Sequence, residues 1–299
     1  MTALADDAPR AAAGDRGVPR IAGEARPLRY LVGAVCVLVI TLMLGPIALS
    51  FFASIKPPAE ASASPPSYLP RSFSLENYQK VIDYQAGLWT YVSNSLAVAA
   101  ITIVLCLVLA VPAGYGLARF KIWGKEAWFI LLLAPLMIPY QALLIPLYLT
   151  FSKLGLANSH LGLAMVHTIL QLPFSIYLMR NSFEGIPREL EEASTMDGST
   201  SLQSLKNIFL PLITPGIVTV ALFAFINSWN EFLSALIFMN NEKAFTVPIM
   251  LVSVRAGRLG SVDWGALQAG VIVSILPCIL IYVLLQKYYV AGFLSGAVK

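Results

Sequence analysis

Six apolar stretches along the chain alternate with polar segments, and each is long enough to cross a membrane as a helix. A helix needs about 20 mostly apolar residues to span the hydrocarbon core of a bilayer. The first stretch runs for about 22 residues, longer than the core of a secretory signal peptide, so we interpret it as a retained span. The pattern predicts an all-α polytopic membrane protein with six transmembrane helices. Their approximate cores are residues 31–52, 96–117, 127–149, 161–178, 214–235 and 267–289.

Composition agrees with this pattern. Hydrophobic residues make up 58% of the 299 positions and charged residues 12%, whereas soluble proteins carry roughly 25% charged residues. A water-soluble globule of this size has too little interior to bury so many apolar side chains, so the surplus must face lipid. Residues 1–29 are polar and lack an apolar period. We therefore expect a disordered cytoplasmic tail over residues 1–29 and a transmembrane domain over residues 30–299.

The placement of lysine and arginine predicts the orientation of the spans. If the amino terminus lies inside, the short connection after the second span also lies inside, and it carries Arg119, Lys121 and Lys125. Short loops weigh most in this rule, and the other inside segments also hold more basic residues than the outside loops. Both termini are therefore expected in the cytoplasm.

The predicted cytoplasmic loop at about residues 180–212 contains signals for two short helices. Pro187 suits the first turn of a helix, and the three glutamates that follow favour the positive end of its dipole. This helix is expected to end at Asp197-Gly198, and Thr200 with Gln203 forms a capping box that opens a second helix. The result is a helix–Gly–helix elbow. On physical grounds it is either an ordinary amphipathic connector or a lever that fits a groove on a cytoplasmic partner.

Other kinds of chemistry find little support in the sequence. It contains no G-x-x-x-x-G-K-[ST] phosphate-binding loop, so any ATP-driven process needs a second chain to bind the nucleotide. No metal-ligand spacing and no nucleophile–base constellation occurs, so neither a metal site nor a catalytic residue is predicted. The net charge of +4 is spread along the chain without a basic block, so nucleic acid is not an expected partner.

Polar side chains inside the spans are candidates for a solute pathway, because they are costly in lipid and often functional. Hydrogen bonding between helices is the alternative role for each of them. One cluster combines amides, a carboxylate and an aromatic ring, which are groups that bind sugars. The possible pathway residues are Gln141, Asn227, Trp229, Asn230 and Glu231.

The elbow also resembles a known family. Glu192-Ala193-Ser194, then three residues, Gly198, nine residues and Ile208-x-Leu210-Pro211 match the EAA–x3–G–x9–I–x–LP loop of ABC importer permeases. Serine stands where the third motif residue is alanine, and both are small residues compatible with a helix. Further similarity in Tyr115-Gly116-Leu117-Ala118-Arg119-Phe120 and in Trp229-Asn230-Glu231-Phe232 points to the carbohydrate-uptake branch, and to the six-span second permease subunit of maltose-type systems.

The resemblance implies a type I ABC importer permease fold in the inner membrane of a bacterium. It implies four kinds of partner: a homologous second permease subunit, a cytoplasmic ATPase dimer, an extracytoplasmic solute-binding protein and membrane lipid. This chain would bind no cofactor, and ATP with Mg would sit on the ATPase. The residues that the resemblance assigns to coupling with that ATPase are Glu191, Glu192, Ala193, Ser194, Asp197, Gly198, Ile208, Leu210 and Pro211.

The resemblance also implies a function. The expected role is a non-catalytic permease subunit that translocates a disaccharide, an oligosaccharide or a related polyol into the cytoplasm. A glycerol-phosphate importer of the same family is the first alternative. A self-sufficient ion-coupled secondary transporter is the second, although such a protein is expected to show coupling carboxylates or inverted repeats. The sequence leaves open the solute, the identity of the partner chains and whether this subunit contacts the solute.

Overall fold

The computed structural model describes the backbone of residues 26–256 and 262–297, and the side chains of residues 30–255 and 262–286. Every regular element in these ranges is helical, which confirms the predicted all-α class. The chain divides into two compact units, Met1–Ala48 and Leu49–Lys299. Residues 1–25, which make up most of the predicted tail, lie outside the described residues.

Helix α1 (Arg26–Ser54) runs from the first unit into the second. It begins before the expected end of the tail at residue 29. Its stretch Tyr30–Ser54 is apolar enough to cross a membrane alone, with a mean hydropathy of 2.5 over its best window.

The second unit contains the remaining helices. Three of them are long enough to span a membrane: α4 (Leu88–Arg119), α7 (His160–Glu184) and α14 (Trp264–Ala297). The shorter α-helices are α2 (Pro58–Ala61), α3 (Glu76–Ile82), α5 (Lys125–Leu133), α6 (Tyr140–Lys153), α8 (Glu189–Met196), α9 (Ser201–Ser204), α10 (Leu210–Leu212), α11 (Thr214–Asn230), α12 (Leu233–Phe238) and α13 (Val247–Ala256). Two 3₁₀ turns (Ala134–Met137 and Glu242–Ala244) and a π turn (Leu205–Phe209) complete the set.

Four of the expected spans are unbroken helices and two are bent. The third is bent by 98° between Lys125–Met137 and Tyr140–Lys153. The break falls at Ile138, whose backbone is extended because the following Pro139 disfavours the helical conformation. The prediction of one continuous helix over 127–149 was therefore wrong. Six spans are reached when each bent pair counts as one.

The fifth span also differs from its prediction, which continued to residue 235. Helix α11 ends at Asn230, and Glu231 has an extended backbone (φ −71°, ψ 123°) before α12 begins. The preceding segment Ser201–Leu212 meets α11 at 77°. The turn at Glu231 matters for function because it brings polar backbone and side chains to the wall of a cavity.

Helices α4, α7 and α11 pack together at the centre of the second unit. Gly114 permits a close approach of α4 to α7: a Cβ there would lie 2.6 Å from the Cβ of Met179. A cluster of buried side chains continues from this contact to the ends of α4 and α7, where Tyr115, Phe183 and Phe209 meet. The two helices therefore approach without an intervening side chain, and a displacement of one is passed directly to the other.

Candidate functional site

The elbow contains the two predicted helices with a glycine between them. Helix α8 begins at Glu189, two positions after the proline expected to open it. Gly198 follows its end with φ +79°, a conformation that favours glycine, and its N–H donates to the carbonyl of Thr195 at 3.0 Å. The predicted capping box is confirmed: Thr200 Oγ1 accepts from the N–H of Gln203, and Gln203 Oε1 accepts from the N–H of Thr200.

The second helix of the elbow is less regular than predicted. Only the turn Ser201–Ser204 is α-helical, and it passes into the π turn Leu205–Phe209. A π turn widens the helix by one residue and recurs at functional positions. Here it lets Phe209 point into the bundle, where its side chain is fully buried.

One side of the elbow is exposed. Glu192, Ala193, Asp197 and Gly198 are all exposed, as are the apolar side chains of Met196 (88%) and Leu202 (73%). Acidic and apolar groups thus share one surface. Of the remaining assigned residues, Pro211 is exposed, and Glu191, Ile208 and Leu210 are half-buried.

Ser194, the third motif residue, faces the opposite way. Its side chain is buried, and its hydroxyl lies 2.6 Å from the hydroxyl of Ser204 in the second helix. This hydrogen bond joins the two arms of the elbow. The serine that replaces alanine in the motif therefore holds the elbow together and does not lie on its exposed side.

Arg119, at the end of α4, connects the elbow to the bundle. Its Nη2 donates to the carbonyls of Phe183 (2.5 Å), in the last turn of α7, and of Ile186 (2.7 Å), two residues after its end. Its Nη1 lies 3.6 Å from Glu191 Oε2 on α8, and its guanidinium lies 5.0 Å from the ring centre of Phe209. The side chain is only 3% exposed. Sequence reasoning used Arg119 for orientation alone, although its place in the Tyr115–Phe120 similarity was an available signal.

Tyr115, one turn earlier on α4, makes a second connection. Its hydroxyl donates to the carbonyl of Ser201 in α9 at 3.3 Å, and its ring lies 5.3 Å from Phe183 and 5.4 Å from Phe209. The end of α4 thus contacts both arms of the elbow, through Glu191 on one side and through Ser201 and Phe209 on the other.

A cavity of about 410 Å³ lies between α4, α7, α11 and the start of α6. This volume falls within the range of small-molecule sites in proteins. Tyr140 reaches it because the break at Pro139 turns α6 towards α7. The polar residues that line the cavity are Thr102, Tyr140, His167, Gln171, Asn227, Ser228, Asn230 and Glu231.

Glu231 is held in this wall by several contacts. Its carboxylate accepts hydrogen bonds from the backbone N–H groups of Ser234 (2.9 Å) and Ala235 (3.1 Å), at the start of α12, and from the Ser234 hydroxyl. His167 Nε2 lies 3.3 Å from Glu231 Oε2, and His167 Nδ1 lies 2.8 Å from the Ser228 hydroxyl. The carboxylate is thus hydrogen-bonded on several sides, as a buried charge requires.

The other predicted pathway residues occupy different positions. Asn227 is exposed and lines the cavity, where its Nδ2 donates to Gln171 Oε1 at 2.6 Å. Asn230 also lines it and donates to the carbonyl of Ile226. Trp229 is buried away from the cavity, with its indole N–H donating to the carbonyl of Ser274 at 3.1 Å. Gln141 is exposed, and the adjacent Tyr140 is the residue that lines the cavity.

Comparison with known proteins agrees with these features. The family described as "Binding-protein-dependent transport system inner membrane component" matches residues 110–293, a range that includes the whole elbow and every cavity-lining residue named above except Thr102. This chain is a permease of that family. Its membership makes it a multi-pass inner-membrane component of an ABC importer. The permease is non-catalytic, because in this family a separate ATPase hydrolyses the ATP.

Two relatives and one solved structure illustrate the similarity. The permease is 32% identical to the trehalose transport system permease protein SugB of Mycobacterium tuberculosis, over 88% of this chain and 94% of that one. It is 31% identical to the sulfoquinovosyl glycerol transport system permease protein SmoH of Agrobacterium fabrum, over 92% of this chain and 94% of that one. A chain from a bacterial ABC transporter involved in the import of the acidic polysaccharide alginate superposes on the permease with a TM-score of 0.77. The two chains are 27% identical, and the superposition covers 90% of this chain and 99% of that one. The fold is that of type I ABC importer permeases.

Proposed function

We propose that the permease translocates a neutral disaccharide, oligosaccharide or related polyol into a bacterial cytoplasm, driven by a partner ATPase. The observation that carries this proposal is the exposed acidic and apolar side of the elbow, tied through Arg119 to the helices that line the cavity. The name of the relative SugB refers to trehalose, a neutral disaccharide, and supports the solute class. The name of SmoH refers to an anionic sugar derivative and supports a carbohydrate solute in general.

The elbow is the proposed coupling site. Glu192, Ala193, Asp197 and Gly198 would contact a groove on an ATPase dimer that holds ATP and Mg, while Ser194 keeps the two arms together. ATP binding closes the dimer and favours an outward-open state of the permease pair, and hydrolysis resets it. Physically, the ATPase biases a two-state element through contacts that differ between the two states.

The remaining partners and the orientation belong to the same proposal. Both termini would lie in the cytoplasm, on the side of the elbow, as the clustering of Arg119, Lys121 and Lys125 favours. A homologous second permease subunit would close the other side of the pathway. A solute-binding protein would deliver the sugar from outside, and lipid would cover the remaining apolar surface.

Reconstitution tests this proposal. The permease should copurify with an ATPase, and the complete complex in liposomes should take up sugar only when ATP and the loaded binding protein are both present. Uptake by this chain alone under an ion gradient would contradict the proposal and favour a secondary transporter. Uptake of glycerol phosphate in preference to neutral sugars would contradict the solute class.

Charge reversal at Glu192 tests the coupling site. Glu192→Lys should lower both uptake and binding-protein-stimulated ATP hydrolysis by more than about tenfold, because an exposed acidic contact with the ATPase becomes repulsive. Glu76→Lys is the matched control, since it also reverses an exposed glutamate in the first turn of a helix. The measurement is uptake and ATP hydrolysis per assembled complex, and equal rates for Glu192→Lys and the control would remove Glu192 from the coupling site.

A further inference from the structure

A second cavity, of about 500 Å³, lies in the second unit at the opposite end of α4 from the elbow. It is formed by the end of α1, the segment that contains α2, and the first two turns of α14. Ala266 and Ala269 of α14 belong to the same buried cluster as Leu88 and Tyr91 at the start of α4. Because α4 has 32 residues, the cavity and the elbow are about 48 Å apart along that helix.

Lys56 places a buried cation in the wall of this cavity. The residue is only 3% exposed, and its ammonium group donates one hydrogen bond, to the carbonyl of Ser67. No carboxylate of a described residue lies within 4.0 Å of it. Glu60 is beyond that distance, and its carboxylate accepts from the Ser67 hydroxyl and from the N–H of Arg71, each at 3.0 Å. A buried ammonium with two unused N–H groups favours an anionic partner.

Further hydrogen-bonding groups in the same cavity have no partner among the described residues. No aspartate or glutamate of the described chain lines the cavity, so these groups surround the cation without an opposing charge. Hydroxyl, amide and ammonium donors together match the oxygen atoms of a phosphate group. The unpaired polar side chains are those of Ser50, Ser62, Ser64, Tyr68, Trp264 and Gln268.

The two helices that end at this cavity expose apolar sides. Leu49 and Phe51 of α1 are exposed, as are Leu276 and Ile279 of α14. Both helices are apolar enough to cross a membrane, so the cavity lies where their ends leave the hydrocarbon. Trp264, which is 47% exposed, suits this level, because tryptophan is enriched where a membrane meets water. The phosphate groups nearest to such a position are those of phospholipids.

We propose that this cavity binds the headgroup of an anionic phospholipid. Its phosphate pairs with Lys56 and accepts from the serine hydroxyls and Gln268, while its acyl chains lie along α1 and α14. In the proposed orientation the lipid belongs to the outer leaflet. The elbow exposes acidic groups, so the ATPase and the anionic lipid bind at opposite ends of the bundle through surfaces of opposite charge. The bound lipid joins the end of α1 to α14, whatever solute the permease carries.

The experiment uses the permease assembled with its partner subunits in vesicles of equal parts phosphatidylglycerol and phosphatidylcholine. Bromine, which quenches tryptophan fluorescence on contact, is placed on the acyl chains of one lipid or of the other. The surface charge thus stays constant while the label changes lipid. Trp264→Phe and Trp89→Phe isolate the signal of each tryptophan by difference. Trp89 is the matched control, because it is exposed in the first turn of α4, outside the cavity, and its sequence neighbours are uncharged.

Brominated phosphatidylglycerol should quench Trp264 at least about twofold more than brominated phosphatidylcholine, because one lysine at a membrane surface favours anionic lipid about fivefold. Both lipids should quench Trp89 equally. Lys56→Met should abolish the preference at Trp264. Gln268→Leu should reduce it, and this variant removes no hydrogen bond within the described protein, so it tests the site even if Lys56→Met fails to assemble. Lys243→Met, which removes an exposed lysine outside the cavity, should leave the preference unchanged.

Several results would overturn this lipid site. Equal quenching of Trp264 by the two lipids in the wild type would contradict selectivity for an anionic headgroup. Quenching of Trp89 without quenching of Trp264 would show that protein covers the cavity. Loss of the preference when excess glycerol phosphate is added to the buffer would identify a soluble anion as the ligand. An undiminished preference in both Lys56→Met and Gln268→Leu would place the lipid elsewhere. These readouts do not depend on sugar uptake, so the proposed function is tested separately.

Discussion

Arg119→Met should abolish ATP-driven uptake while the permease remains inserted and assembled with its partners. The guanidinium donates to one carbonyl in the last turn of α7 and one just beyond its end, faces Glu191 on α8 and stacks over Phe209 of the π turn. Hydrogen bonds from a charged donor contribute about 1.5–3 kcal/mol each. Their loss removes the Arg119 donor from both carbonyls, although the carbonyl of Phe183 still accepts from the N–H of Ile186. The elbow would then move without displacing α4 and α7, so uptake should fall by at least tenfold.

The measurement is sugar uptake and ATP hydrolysis per assembled complex. Lys121→Met is the matched control, because it removes an exposed cation two residues away that makes none of these contacts. Arg119→Lys should recover only part of the activity, since lysine lacks the planar fork that reaches two carbonyls together. Normal uptake by Arg119→Met at normal assembly would show that the elbow transmits force by another route.

Gly198→Pro should likewise abolish uptake and stimulated ATP hydrolysis. Proline requires φ near −65° and has no N–H, whereas Gly198 has φ +79° and donates to Thr195. A Cβ at this position would meet open space, so the effect comes from the backbone alone. The two arms of the elbow would diverge, and Ser194 would separate from Ser204. Gly198→Ala should have a smaller effect, because alanine at positive φ costs about 1–2 kcal/mol.

Gly155→Pro provides an unusually close control for this change. Gly155 also follows a helix with φ +70°, its N–H also donates to the carbonyl three residues earlier, and a Cβ there also meets open space. It lies between α6 and α7, away from the elbow. Loss of uptake with Gly198→Pro but not with Gly155→Pro, at equal protein levels, would assign the effect to coupling. Equal losses would assign it to general folding strain.

The sequence predicted the elements that depend on local chemistry. The glycine break and the capping box of the elbow follow from residue types at fixed spacing, and both are present as expected. The hydropathy pattern located six spans, but it joined helices across Pro139 and across Glu231. Apolar residues continue on both sides of each break, so hydropathy alone does not detect them. For the first break, Pro139 was the more local signal, because a proline disfavours the helical conformation of the residue before it, here Ile138.

The contacts between distant elements were beyond the reach of the sequence. The position of Arg119 at the end of α4 does not indicate that its side chain reaches α7, α8 and the π turn together, because these contacts depend on tertiary packing. The sequence likewise does not show that Ser194 points inward, because its partner Ser204 lies on the other side of the glycine turn. Trp229 was assigned to the pathway for its aromatic ring, yet it packs against Phe225 and donates to α14.

The hydrogen bonds of Glu231 argue against a role for this carboxylate in coupling transport to an ion gradient. A carboxylate that couples transport to a proton or sodium gradient must bind and release its ion in every cycle. Glu231 instead forms the N-terminal boundary of α12, through two backbone N–H groups and a serine hydroxyl. Protonation of Glu231 in each turnover would weaken the hydrogen bonds that hold the start of α12. An electrochemical gradient could therefore act on Glu231 only by disrupting the local fold.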